Sequence, residues 1–249
     1  MVKNILQSEI IKFFSYNWCL FGTVGTILVA PVILFFSGIG NDQPLVTNEI
    51  LSMSIRNFFL SQAGLVIIAA SFFGQEYSNS YLRTTLLTIP ARIKLITTKL
   101  FLLTVIVWII GLFSSLICLG IGIIQFNGSF TLSLILEFLI KVIIAMLSWT
   151  QITWITVFLT IITKSHILPI AIMFSLILGL SQMLFAMTAF AKYLPDLATM
   201  NLFFSTHTTT LLNGSQGLLV QSIWSLFLSL ISFGLIQYRD VRRLPLHFP

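Results

Sequence analysis

Six long stretches of the chain carry no charged residue, and this feature constrains the fold more than any other. A helix needs about 20 apolar residues to cross the roughly 30 Å hydrocarbon core of a bilayer. A charged side chain at the centre of that core costs roughly 2.5–3.5 kcal/mol. The stretches therefore predict six membrane spans, at about 18–39, 57–74, 100–124, 142–163, 167–190 and 216–237. Because they are continuous rather than alternating, they favour helices over a membrane barrel.

The distribution of lysine and arginine predicts the orientation of these spans. With the N-terminus inside, ten basic residues fall in the inner segments and three in the outer ones. The inner ones are Lys3, Lys12, Arg83, Arg92, Lys94, Lys99, Lys164, Arg239, Arg242 and Arg243, and the outer ones are Arg56, Lys141 and Lys192. Cytoplasmic loops carry the excess of basic residues. We therefore expect both termini in the cytoplasm, and one membrane domain over residues 1–249.

The first 16 residues are not a span but have a helical pattern. Leu6, Ile10, Phe13 and Phe14 share one helical face, whereas Ser8, Lys12 and Ser15 share the opposite one. This pattern is typical of an amphipathic helix lying in the membrane interface. The alternative is that the segment extends the first span inward.

The sequence lacks the motifs of the main enzyme and ligand-binding classes considered. It contains no GxxxxGK[ST] phosphate loop, no HExxH zinc motif and no paired carboxylates within a span. Cys19 and Cys118 each lie alone in an apolar stretch, without the spacing of a metal site. The net charge is +6, but the basic residues occupy short segments between spans rather than a soluble domain. We expect no catalysis, no metal, no bound cofactor and no nucleic-acid partner.

Two connecting segments are longer than a turn requires. Residues 191–215 are too polar to span, and would enter the bilayer only where protein covers them. The inner segment from Gly74 to Lys99 pairs Tyr77 with Tyr81, and Leu82 with Leu86, at the i, i+4 spacing of a helical face. The pattern predicts a cytoplasmic amphipathic helix over about 76–89. Pro90 ends it or opens the next helix, and Arg92, Lys94 and Lys99 then anchor the third span at the headgroups.

The inner segment resembles the permeases of type 2 ABC exporters. The matching residues are Glu76-Tyr77, Leu82-Arg83, Leu86-Leu87, Pro90 and Lys99. Arg92 lies one residue closer to Pro90 than in the family pattern, and Ser80-Tyr81 stands where Gly-Thr is usual. The arrangement of interfacial helix, six spans and long last outer loop is similar along the whole chain. Only the segment from Glu76 to Lys99 is similar in a sequence-specific way.

This resemblance implies a mechanism and a set of partners. Two permeases, identical or different, would form the transmembrane unit above two separate ATPase subunits, which would bind the ATP and Mg²⁺. The helix over about 76–89 would be the coupling helix that contacts the ATPase. Its contact residues would be Glu76, Tyr77, Tyr81, Leu82, Arg83, Leu86, Pro90 and Arg92. The setting would be a bacterial cell membrane. The cargo would be an amphipathic peptide, antibiotic or lipid-like molecule, as in antibiotic or bacteriocin resistance.

Polar residues inside the fourth and fifth spans are candidates for a substrate path. They include Trp149, Gln151, Thr153, Trp154 and Gln182. Polar side chains within a bilayer usually face the helix bundle or a cavity. The alternative is helix–helix hydrogen bonding, which contributes about 0.6 kcal/mol on average.

Two other functions remain open at the level of sequence. A secondary transporter would need intramembrane acids and related halves, and neither is evident. A non-transporting membrane scaffold or assembly subunit would need no coupling segment. Association with an ATPase separates the exporter permease from both alternatives.

Overall fold

A computed structural model describes residues 2–37, 47–77, 92–126, 131–204 and 209–238, and every regular element within these ranges is helical. An N-terminal helix, Val2–Ser15, is followed by six helices that are long and apolar enough to cross a membrane. These spans are Asn17–Ser37, Thr47–Gly74, Arg92–Phe126, Leu132–Thr163, Ile167–Met187 and Gly214–Tyr238. The prediction of an all-α membrane protein with six spans is confirmed.

The helix boundaries differ from the predicted ones mainly at helix starts. The second, third and fourth spans begin at Thr47, Arg92 and Leu132, well before the apolar stretches at 57, 100 and 142. Charges mark where the hydrocarbon core ends, but a helix continues beyond it because its backbone hydrogen bonds remain satisfied. Glu137 and Lys141 illustrate this, since they form an exposed i, i+4 ion pair of 2.7 Å within the fourth span. The i, i+4 spacing of the two residues in the sequence favours this pairing.

The second span is the central helix of the bundle, and most of its residues from Ile50 to Gly74 are buried. The first span packs closely against it through small residues. A Cβ atom added at Gly22 would lie 2.7 Å from Ile68 Cγ1, and one added at Gly64 would clash with Thr26. Small residues at such contacts let two helix backbones approach, as is common in membrane proteins.

Substituting Gly64 with alanine should therefore destabilise the protein, by about 1–3 kcal/mol, because Thr26 and its backbone must move. The measurement is thermal unfolding of the purified protein in detergent. Gly120→Ala is the matched control, since a Cβ at Gly120 meets nothing within 4 Å. Equal stability of the two variants would contradict the close packing of the first and second spans.

The segment between the fifth and sixth spans folds into the end of the bundle remote from the N-terminal helix, here termed the far side. It contains two 3₁₀ turns, Ala189–Tyr193 and Leu197–Thr199, and one α-helical turn, Met200–Phe203. Phe203 is buried against Phe59 of the second span, with ring centroids 5.7 Å apart. Gly217 leaves room for the backbone of Ala198, which a Cβ atom would strike. Residues 195–203 of the segment are thus largely covered by protein, as polar sequence near the bilayer requires.

Candidate functional site: a buried charge cluster

Four charged side chains meet at the N-terminal side of the bundle. Glu9 and Lys12 come from the N-terminal helix, and Lys99 comes from the third span. Glu76 lies in the 3₁₀ turn Gln75–Tyr77, which directly follows the second span. We call these four residues the charge cluster.

Acids and bases alternate within the charge cluster. Lys99 Nζ lies 2.7 Å from Glu76 Oε1 and 3.2 Å from Glu9 Oε2. Lys12 Nζ donates to Glu9 Oε1 at 2.6 Å and lies 3.7 Å from Glu76 Oε1. Two carboxylates are thus balanced by two ammonium groups, and the formal charge of the cluster is zero.

The charge cluster is almost sealed from solvent. The side chains of Glu9 and Lys99 are 0 % exposed and that of Glu76 is 8 % exposed, whereas Lys12 is 36 % exposed. Lys99 Nζ also lies over the rings of Phe72 and Phe73, at 4.7 and 5.2 Å from their centroids. Cation–π contact and a low local dielectric both strengthen the paired state. The same surroundings make an unpaired charge here very unfavourable.

The N-terminal helix packs against the protein through a face that includes an acid. Ile5, Glu9 and Phe13 are buried at i, i+4 and i+8, whereas Ile11 and Phe14 are exposed. Phe13 packs against Phe72, with ring centroids 5.4 Å apart. The packed face therefore contains an acid, because its partners on the second and third spans are charged as well as apolar.

Lys99 corrects one prediction. Its side chain was expected to anchor the third span at the headgroups, but it is buried between two carboxylates. Ion pairs with two carboxylates stabilise the charge of a lysine more strongly than one contact with a hydrated headgroup does. Lys94, one turn earlier, remains exposed.

The structure describes three of the eight predicted coupling residues, namely Glu76, Tyr77 and Arg92. Glu76 points into the charge cluster, and Tyr77 is half-buried in the same turn. Arg92 begins the helix of the third span, and its side chain is outside the described part of the chain. The remaining ones lie outside the described residues and are Tyr81, Leu82, Arg83, Leu86 and Pro90. The predicted coupling helix over about 76–89 stays a prediction, because the structure describes only Glu76 and Tyr77 of it, within the 3₁₀ turn.

Glu9 is the member of the site that the sequence interpretation missed. A local signal existed, since Glu9 precedes Lys12 by three residues and Phe13 by four on an amphipathic helix. An acid in that pattern lies on the same face as a buried aromatic residue.

The candidate substrate-path residues of the fourth span contact different neighbours. Trp149 is buried and donates from Nε1 to the carbonyl of Phe58 in the second span, at 3.2 Å. Thr153 is buried and donates to the carbonyl of Trp149 in its own helix. Both side chains thus serve helix packing in this structure.

The other three candidates contact different spans or are exposed. Trp154 Nε1 donates to Thr104 Oγ1 of the third span at 3.1 Å, and Gln151 Nε2 donates to Ser222 Oγ of the sixth span at 2.8 Å. Gln182 of the fifth span is exposed. The five residues therefore do not converge on one site within this chain.

The fold and site define the chain as a multi-pass, all-helical membrane protein, with a buried ionic cluster where the long segment between its second and third spans begins. The family model described as ABC-2 family transporter protein matches residues 5–182. The chain belongs to this family and is an ABC transporter permease, the membrane subunit of such a transporter. The match includes the charge cluster and the segment from Glu76 to Lys99. Comparison with curated proteins gives no significant match.

Proposed function

We propose that this permease belongs to an ATP-driven exporter that moves an amphipathic molecule, such as a peptide, antibiotic or lipid-like compound, out of the cytoplasm. A second permease chain completes the membrane unit, and separate ATPase subunits bind ATP and Mg²⁺. The observation that supports this proposal is the charge cluster, because it fastens both ends of the segment that would contact the ATPase.

These contacts link the segment between the second and third spans to both spans and to the N-terminal helix. The segment leaves the second span at Glu76 and returns to the bundle in the third span, where Lys99 lies 2.7 Å from Glu76. Glu9 links the same lysine to the N-terminal helix. A displacement of the segment would therefore move the second span, the third span and the N-terminal helix together. Since the second span is the central helix of the bundle, such a movement would reach the other spans.

The orientation proposed is that of a bacterial cell membrane protein with both termini in the cytoplasm. The excess of lysine and arginine in the inner segments supports it. In this orientation the charge cluster lies on the cytoplasmic side, where an ATPase would be reached, and the far side faces outward.

The proposal is tested by affinity purification of the full chain from its own membrane in mild detergent. We expect a second chain with ATPase activity to be recovered with it. Leu82→Asp with Leu86→Asp should abolish the recovery, because apolar contacts of the coupling helix would be lost. Glu137→Gln is the control, since Glu137 is exposed and lies in the far-side half of the fourth span. Purification of the wild type without an ATPase would favour a secondary transporter or a scaffold.

A further inference from the structure

Asp196, in the segment between the fifth and sixth spans, is an acid buried without a cation. Its side chain is inaccessible to solvent, as are those of Glu9 and Lys99 in the charge cluster. No lysine, arginine or histidine lies within ion-pair distance of Asp196 in the part of the chain that the structure describes. Lys192, the basic residue of the same segment, lies over the ring of Tyr193 instead. A buried carboxylate without a cation is strongly disfavoured.

Four elements converge on this acid through neutral polar groups. Ser181 of the fifth span contacts the carboxyl group, and Thr199 contacts the backbone carbonyl of Asp196. Ser148 of the fourth span donates to Thr199 Oγ1 at 3.2 Å, and Gln221 of the sixth span donates to the carbonyl of Pro195 at 2.8 Å. The network thus joins the segment to three spans.

The single hydroxyl proton of Ser181 cannot serve both of the oxygen atoms that it contacts. Ser181 Oγ lies 2.5 Å from Asp196 Oδ2 and 3.0 Å from the carbonyl oxygen of Leu176. A hydroxyl group has one proton, and a carbonyl oxygen can only accept. If Ser181 donates to Leu176, the short contact to Asp196 requires a proton from the carboxyl group.

The shape of the fifth span holds Ser181 over Leu176. The helix is kinked within Leu176–Leu180, where Gly179 has a non-helical φ of 132°, which favours glycine. The kink brings Ser181 within hydrogen-bond distance of the carbonyl of Leu176, five residues earlier.

The electrostatic surroundings shift the acid toward its neutral form. Burial raises the pKa of Asp196, and outweighs the lowering by the Ser181 hydroxyl and by the backbone N–H groups of Asp196 and Leu197. The neighbours from the fourth, fifth and sixth spans, Ser148, Ser181 and Gln221, do not titrate. The second and fourth spans carry four charged residues in their far-side halves, Glu49, Arg56, Glu137 and Lys141. The side chains of all four are exposed.

We propose that Asp196 is a proton-binding site, whose neutral form fastens the segment to the fifth span and whose ionisation loosens this contact. On ionisation the carboxyl proton passes to water, and the Ser181 hydroxyl is left with two acceptors for its one proton. Because the acid holds its proton more tightly when folded, its stabilising effect is complete at low pH and is lost as pH rises through the folded pKa. Asp196 lies outside residues 5–182 matched by the family model, whereas Ser181 and Ser148 lie within them.

Infrared spectroscopy of the purified full-length protein at neutral pH tests the proton directly. We expect a carbonyl-stretch band of a protonated carboxylic acid that is missing from Asp196→Asn and retained in Glu137→Gln, an exposed acid on the same side. Absence of the band from the wild type, or its retention in Asp196→Asn, would overturn the proposal. Should Asp196→Asn not fold, Ser181→Ala is expected to shift the band, because the acceptor of the carboxyl proton is lost. An unchanged spectrum of Ser181→Ala would also overturn it.

The same variants test the effect on the fold. The midpoint of thermal unfolding should fall as pH rises from mildly acidic to alkaline values in the wild type. The decline should be clearly smaller in Asp196→Asn, whose amide can still donate to Ser181 at every pH. Equal pH dependence of the two proteins would show that loss of this proton does not loosen the contact.

Discussion

Replacing Lys99 with methionine should destabilise the protein by about 3–5 kcal/mol, which is the usual cost of removing one partner from a buried ion pair. The lysine lies between Glu9 and Glu76, and all three side chains are almost fully buried. Without it, two buried carboxylates would share only Lys12, which is 3.7 Å from Glu76 and partly exposed. Methionine is chosen because it retains most of the volume and removes only the charge.

The unfolding free energy of the purified protein in detergent measures this effect. Lys141→Met is the matched control, because Lys141 also pairs with a glutamate at 2.7 Å but both side chains are exposed. An exposed pair contributes little, so this variant should unfold close to the wild type. Adding Glu76→Gln to Lys99→Met should recover part of the loss, since one uncompensated charge is removed. Equal stability of Lys99→Met and Lys141→Met would contradict a buried cluster.

The spans were predictable because each depends on a local property, the absence of charge over a sufficient length. The helix starts were not, because a helix can extend beyond the bilayer wherever its backbone bonds and surface charges permit. The helices that begin at Thr47 and Leu132 include Glu49 and Glu137 in their first turns or shortly after them. Such charges mark the edge of the hydrocarbon core and not the end of the helix.

The charge cluster was only partly predictable for a related reason. The pairing of Glu137 with Lys141 follows from i, i+4 spacing, which is readable in the sequence. The pairing of Glu9 with Lys99 joins an N-terminal helix to the third span, and no local spacing specifies it. A basic residue at the inner end of a span supports the same orientation whether it faces headgroups or a buried acid. Lys99 therefore supports the predicted orientation, although its predicted environment was wrong.

The environment of Asp196 also depends on tertiary structure. Its contacts come from Ser181 in the fifth span and, through the surrounding network, from Ser148 and Gln221 in the fourth and sixth. In the sequence it is one acid in a mixed polar segment. The buried environment of Asp196 arises only when that segment packs into the bundle, so the sequence alone does not indicate that the acid is a candidate proton-binding site.

Tyr81→Ala should lower the ATPase activity of the reconstituted permease–ATPase complex tenfold or more, while the permease keeps its stability. In the proposed function Tyr81 lies on the face of the coupling helix that contacts the ATPase. Truncating an anchor residue of an interface typically costs a few kcal/mol, and each 1.4 kcal/mol is about a factor of ten. The measurement is ATP hydrolysis in proteoliposomes, with thermal unfolding of each permease variant measured beside it.

Glu76→Gln should behave differently, because its carboxylate is a buried partner of Lys99. This variant should lose ATPase activity and stability together, since the lysine keeps only Glu9 as a close partner. Lys164→Asn is the control on the same side of the bundle, because Lys164 is exposed and its left-handed backbone, with a φ of 52°, is tolerated by asparagine. It should leave both quantities unchanged. If Tyr81→Ala were fully active, the coupling assignment would fail. If it lost stability in step with activity, Tyr81 would be part of the fold and not of the ATPase contact.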